Sequence, residues 1–320
     1  MRGLSGTCLV LTAAAVVFSA TVGCSQFGMV QGKRSFKGAN VAYQQQDYQK
    51  AADLYEEAIK ADPNLNQAYF YLGNSYDNQY KPSRKGDAAN DALLQKAVEN
   101  YQLSADRLQG ATEPIDKMLA TRSLEYLQAA YGPDKLNDPA KAEPIVQKMI
   151  QLEPGEPSNY FVLAKLYEDA GAYPEAEETL MNAKNAKPTD AAVYMTLAGF
   201  YNRQGQFPKT IDALQQRASV EPNNPEAYQT IAAYYWDEAR GDAALTDSQK
   251  REYLLKGVEA ADKALALKAD FVEALTFKGL LLRQQALIEK DPAKQQQLLK
   301  EGTALGDKAN ELRKGKGTAN

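Results

Sequence analysis

The nine-residue phrase "NYFVLAKLY" at Asn159–Tyr167 returns as "VYMTLAGFY" at Val193–Tyr201 and as "AYQTIAAYY" at Ala227–Tyr235, placing Tyr160, Tyr194 and Tyr228 at a constant step of 34 residues. A further copy, "AYFYLGNSY", lies upstream at Ala68–Tyr76. A period of this length constrains the fold more than any single motif, because a short unit repeated in sequence is a short unit repeated in space. Within the phrase, Tyr160, Leu163, Ala164 and Tyr167 stand at i, i+3, i+4 and i+7, which puts them on one face of an α-helix. That face is expected to be buried. The small residue of each copy (Ala164, Ala198, Ala232, Gly73) admits a neighbouring helix, and the flanking tyrosines fill the space around it. A break follows, "DAGAYPEA" or "RQGQFPKT", in which Gly171 or Gly205 supplies a turn and Pro174 or Pro208 suits the first turn of a second helix. That second helix sets Ala176, Leu180 and Ala183 on one face and stops at Pro188; the next copy has Thr210, Leu214 and a stop at Pro222.

One such unit cannot stand alone. Ordering its backbone costs about 1–2 kcal/mol per residue, against roughly 1.5–3 kcal/mol for each large apolar side chain buried. Stacked units share a continuous core, with the first helices lining a concave side suited to holding another polypeptide. The pattern of aromatic, Leu, Gly or Ala, Tyr, then Ala, bulky residue, Ala, Pro resembles the tetratricopeptide repeat, most closely over Pro157–Asn224. The resemblance implies an all-α fold, an α-solenoid of about seven tetratricopeptide-like helix hairpins forming a right-handed superhelix. The units are expected near residues 32–65, 66–110, 121–156, 157–190, 191–224, 225–271 and 272–312, followed by a flexible tail over 313–320. Tyr48, Ala51, Tyr55, Ala58 and Pro63 mark the second half of the first unit, whose first helix is expected near Ser35–Gln45. The third keeps Leu124, Leu127, Tyr131, Ala142 and Pro154 but has Pro144 where its second helix should be running; the seventh keeps Leu275, Gly279 and Leu282.

Three units exceed the common step. From the last large residue of the first helix to the first small residue of the second, Tyr167 to Ala176 spans 9 positions, whereas Tyr76 to Ala97 spans 21, Tyr235 to Gly257 spans 22 and Leu282 to Gly302 spans 20. Each insert ends in a Leu-Leu pair, "LLQKA" at Leu93, "LLKG" at Leu254 and "LLKEG" at Leu298. Asp291 with Pro292, and Thr246 with Gln249 as a capping box, signal helix starts. The spacing predicts longer hairpins, each arm gaining about one and a half turns or roughly 8–9 Å, and a ridge with "QYKPSRKG" (Gln79–Gly86) at its most exposed tip. Alternatively, the Leu pairs cap the adjacent core.

The resemblance also implies which first-helix residues line the groove. Carried onto this chain they are Phe36, Asn40 and Tyr43; Gln67, Phe70, Asn74 and Asn78; Phe161, Lys165 and Asp169; Met195, Asn202 and Arg203; and Gln229, Trp236 and Asp237. Amides interleaved with aromatics suit an extended peptide, since Asn and Gln pair with backbone N–H and C=O groups while rings cover its side chains. An ordinary solvated helix face is the alternative, and Trp236 is equally compatible with packing under the insert that follows it. The Lys and Asn set by which some family members bind acidic C-termini is absent, Phe36 and Phe70 standing where the lysine would be, so no chaperone-tail partner is expected.

Composition narrows the function. A net charge of −4 lacks the positive excess that drives phosphate-backbone binding, so nucleic acid is not an expected partner. The absence of histidine removes the commonest general base and metal ligand. Both cysteines, Cys8 and Cys24, lie in the first 24 residues, which removes thiol chemistry and cysteine-based zinc sites from the rest. The pairs Glu56-Glu57 and Glu177-Glu178 fall on outer faces of second helices as solvated charge, and "RKGKGTAN" at the end lacks the spacing of a phosphate loop. No catalysis, cofactor or metal is therefore expected.

The start of the chain reads as an export signal: Arg2 beside the free amine, an apolar run over Leu9–Phe18, then small residues. "TVGC" at Thr21–Cys24 is similar to the lipobox of bacterial lipoproteins, with Thr21 where the family usually has Leu. That resemblance implies cleavage after Gly23, lipidation of Cys24, a tether over residues 24–34 and residence in the envelope, as an outer-membrane lipoprotein facing the periplasm. A plain signal peptide cut near Gly23 is the alternative. Lipidation would also remove an unpaired thiol from an oxidising compartment. The expected partners are other proteins or peptides, with the membrane reached through the lipid. A homo-oligomeric scaffold, exported but not lipidated, is the competing reading.

Overall fold

The structure is a computed structural model that describes residues 27–317. The expected export leader and Cys24 lie outside the described residues. Among these residues there is no strand, and no helix is long and apolar enough to cross a membrane.

The helices form antiparallel pairs in chain order. The first pair is α1 (residues 27–44) and α2 (Tyr48–Ala61), followed by α3 (Asn66–Gln79) with α4 (Ala88–Arg107) and α5 (Pro114–Ala130) with α6 (Pro139–Leu152). Next come α7 (Pro157–Asp169) with α8 (Tyr173–Ala186), and α9 (Ala191–Arg203) with α10 (Phe207–Val220). The last pairs are α11 (Pro225–Gly241) with α12 (Asp247–Leu267) and α13 (Val272–Ile288) with α14 (Pro292–Gly317). The chain divides between Glu153 and Pro154 into two compact units.

The starts and turns follow the residues that specify them. Asp47, Asp87, Asp138, Asp190, Asn224 and Thr246 accept a backbone N–H in the first turn of the helix that follows, satisfying donors that have no partner within the helix. Gly171 (φ 75°) and Gly205 (φ 66°) sit at the turns expected of them, in the left-handed conformation. Gln46 (φ 61°) holds the same place ahead of α2, and Asn137 (φ 55°) ahead of α6. The common turn is closed by the same long backbone bond, Ala172 N to Tyr167 O (2.8 Å), Gln206 N to Tyr201 O (2.9 Å) and Asp47 N to Ala42 O (3.0 Å).

The core is the one the period implies. Leu163, Ala164, Leu197, Ala198, Ile231 and Ala232 are buried on first helices, and Ala176, Leu180, Ala183, Thr210 and Leu214 on second helices. Tyr160 and Tyr194 are buried, while Tyr228 is half-buried against Ala264, Phe271 and Ala274. The tyrosine hydroxyls do a second job. Tyr69, Tyr160, Tyr194 and Tyr228 donate to the carbonyls of Pro63, Pro154, Pro188 and Pro222 at 3.2, 3.0, 2.6 and 3.2 Å, each tying a first helix to the stop that precedes it. In the last hairpin Leu275 replaces the tyrosine and Ala269 the proline, so both partners change together.

Three expectations need correction. Residues 27–34, expected as tether, are helical, and α14 runs through 313–317, expected as tail. The second helix of the third unit, α6, runs where it is expected, with Pro144 inside it. The long hairpins do not lengthen evenly: α11 and α12 have 17 and 21 residues against 13 and 14 in α9 and α10, and in the second hairpin nearly all the gain is in α4, with 20 residues to 14 in α3. The expected tip at Gln79–Gly86 carries a 3₁₀ turn at Pro82–Arg84. The Leu pairs divide their work, Leu94 and Leu254 buried while Leu255 and Leu299 stay exposed.

Candidate functional site

The candidate surface is built from the first helix of each hairpin. Its residues fare differently in the two units.

In the N-terminal unit most of them are used inside the protein. Phe36 packs on Tyr55 and Tyr71 with ring centroids at 5.8 and 6.5 Å. Phe70 is buried, with Tyr101 and Tyr126 at 6.0 and 5.8 Å. Asn40 Oδ1 accepts from Tyr55 OH (2.7 Å), and Asn74 Oδ1 accepts from Tyr43 OH (2.6 Å) and Asn78 Nδ2 (2.8 Å). Asn74, itself buried, donates to Tyr101 OH at 3.3 Å. The amides expected to meet a guest backbone therefore pair with buried phenols, as burial of a polar group demands. The cluster extends to Asp77, which sequence reasoning missed: it accepts from Tyr101 OH at 3.5 Å and pairs with Lys135. Burial pushes the Tyr43 hydroxyl up to about 12 and raises Tyr55 and Tyr101 further. Phe36 and Gln67 line, with Asp116, a cavity of about 270 Å³, and Asn78 is exposed; Gln67 Nε2 donates to Asp116 Oδ1 at 2.7 Å.

The C-terminal unit keeps more of its surface free. Phe161 is half-buried, and Lys165 and Asp169 are exposed and pair with each other. Arg203 makes a two-pronged contact to Glu168 at 2.7 and 2.9 Å, and this bonding holds the Glu168 carboxyl below its ordinary range. Met195 Sδ lies 3.0 Å from Arg217 Nη1, which also reaches Thr230 Oγ1 at 3.3 Å. Trp236 is half-buried, edge-on to Phe277 of the next first helix at 5.9 Å, with the Arg240 guanidinium 4.7 Å over its ring. The tryptophan thus packs along the row of first helices rather than under the insert. The side chains of Asn202, Gln229 and Asp237 have no partner among the described residues.

The outer faces are occupied differently. Tyr201 OH donates to Glu177 Oε1 at 2.9 Å, and Lys209 Nζ reaches the same oxygen at 2.8 Å. The N-terminal unit repeats the set: Tyr76 bonds Glu56, and Lys96 Nζ lies 3.1 Å from Tyr76 OH. Glu56 and Glu177, expected as plain solvated charge, instead join successive hairpins. No group of three or more acidic or sulfur ligands able to hold a metal occurs among the described residues.

Comparison with known proteins places these hairpins. Two family models, each described as Tetratricopeptide repeat, match residues 36–105 and 135–200. No curated protein matches the chain. Among solved structures, the C-terminal part of a TPR repeat-containing protein from Cytophaga hutchinsonii is 15% identical, covers 87% of this chain and 98% of its own, and has a TM-score of 0.53. A tetratricopeptide repeat protein from Parabacteroides merdae is also 15% identical, covering 85% and 99% with a TM-score of 0.43. MamA is 22% identical over 57% of this chain and 92% of its own, with a TM-score of 0.40.

Proposed function

The chain carries tetratricopeptide repeats, and on that premise we propose that it is a non-catalytic scaffold of the bacterial cell envelope that holds a partner polypeptide on the first helices of its C-terminal unit. The observation that carries this reading is the state of the α9–α11–α13 row. The only tryptophan of the chain lies half-exposed there between Phe277 and Arg240, while Asn202, Gln229 and Asp237 hold donors and acceptors that the protein does not use. An extended peptide supplies what that surface lacks, a ladder of N–H and C=O groups for the amides and side chains for the rings. The N-terminal unit, whose amides are bonded internally, is rigid framework in this reading. Export and lipidation at Cys24 rest on the leader and on "TVGC".

A photo-crosslinking residue placed at Asn202 or Asp237 in cells, followed by mass spectrometry, is expected to capture peptides of another envelope protein, and Trp236→Ala to reduce their yield at least tenfold. Capture of this chain alone would favour the self-associating scaffold. Separately, Cys24→Ala is expected to move the protein from the membrane to the soluble fraction; a variant that still fractionates with membranes refutes the lipid anchor and leaves the groove untouched.

A further inference from the structure

The first and last hairpins of a repeat chain each have a neighbouring hairpin in sequence on one side only, and the outer face of such a terminal repeat needs to be polar to stay in solution. The C-terminal end largely obeys this: α14 exposes Gln296, Lys300, Thr303, Asp307, Lys308 and Glu311, with Leu299 as its one exposed large apolar side chain among the described residues. The N-terminal end does not. Phe27, Val30 and Val41 of α1 are 72%, 69% and 48% exposed.

The rotation of α1 is set by its opposite side. A Cβ at Gly28 would stand 2.7 Å from the Ala61 carbonyl oxygen, and one at Gly32 would stand 2.8 Å from Asp62 Cβ; Ala39 and Ala42 are buried on the same side. With that side held against α2, helical spacing puts Phe27, Val30, Lys33, Arg34, Lys37 and Val41 together on the outward one. The helix contains no acidic residue, and its three cations join no ion pair among the described residues. In a chain of net charge −4 this is a local concentration of positive charge interleaved with apolar groups.

We propose that the outward face of α1 docks on an anionic phospholipid surface. Apolar side chains that reach the acyl boundary, flanked by cations that reach the headgroups, are the makeup of a helix lying in the interface, and Lys and Arg stems are long enough to keep their charges at that level. Position agrees with composition. Phe27 is three residues from Cys24, so even a fully extended link holds the first turn within about 10 Å of a lipidated cysteine. The inference rests on the membrane-anchored reading above, and it adds that the first hairpin is seated on the bilayer rather than suspended from it.

The test uses the full chain with Cys24→Ser, so that no attached lipid contributes, and vesicles of phosphatidylcholine with or without phosphatidylglycerol, carrying brominated acyl chains. A Val30→Trp substitution reports on the face itself, the signal of Trp236 being subtracted with the parent chain. Emission from position 30 is expected to shift to the blue and to be quenched on vesicles containing phosphatidylglycerol. Reversal of the cations, Lys33→Glu with Arg34→Glu and Lys37→Glu, is expected to weaken partition about 100-fold. The apolar leader is the same in both chains, so the difference belongs to α1, and circular dichroism checks that each is folded. Emission unaffected by vesicles, equal partition of the charge-reversed chain, or burial of the reporter by self-association without lipid would overturn the proposal. Because the assay omits the anchor, its failure is distinct from failure of the Cys24→Ala fractionation.

Discussion

Gly279 and Gly302 face each other across α13 and α14 so closely that a Cβ on either would stand 2.7 or 2.8 Å from the carbonyl oxygen of the other. Two backbones touching at this distance leave no flexible side chain to yield. Alanine at position 302 gains about 1 kcal/mol of helix propensity and meets an overpacking cost of about 1–3 kcal/mol. We therefore expect Gly302→Ala to lower stability by about 1 kcal/mol, and by no more than about 2, in urea denaturation, whereas Gly315→Ala in the same helix, where an added Cβ meets nothing within 4 Å, is neutral or slightly stabilising. The small residues were legible in the sequence as places of close approach. That two glycines oppose one another, or that Gln46 takes a left-handed turn where later hairpins use glycine, was not, because the first depends on the register between helices and the second on a turn imposed by packing. Asn74 shows the same limit: its position pointed to a groove, and its burial followed from phenols brought in by two other helices.

The long hairpins show how far an element can be read from spacing. The capping box proposed at Thr246 and Gln249 is formed, each side chain meeting the other's backbone N–H at 3.3 and 3.0 Å. Loss of the hydroxyl frees donors at the head of the 21-residue α12. Thr246→Ala is expected to cost about 1 kcal/mol in the same denaturation measurement, and Thr246→Asp to restore most of it. The number of inserted residues was countable between landmarks, but their division between the two arms was not. Residues that are all compatible with helix do not say where the chain reverses; that is decided by which side chains, such as Leu94 and Leu254, find a buried place on the neighbour.

At the scale of the molecule, neutral phenols join successive hairpins within each of the two units. Burial, and then the bonded Glu56, pushes the Tyr76 hydroxyl up to about 12; burial, and then Glu177, does the same to Tyr201; burial raises Tyr43 to a similar value. A group raised above its unfolded value, here 10.0, adds stability that is complete below that pH and is lost as pH climbs through the folded value. The urea midpoint is thus expected to hold up to about pH 9 and to fall steeply between about 10 and 12, with tyrosinate absorbance rising in step. A midpoint that stays level across that interval would show that the recurring tyrosines do not need their protons to pack. The same period that repeats these tyrosines specified the helix pairs, their turns and the small-residue contacts, because all of these depend on residues close together in the chain. Which polar groups of the first helices remain free for a partner, and which are consumed by buried phenols, was settled only by the folded packing, since hydrogen-bond satisfaction depends on neighbours up to 58 residues apart, as Asp77 and Lys135 are.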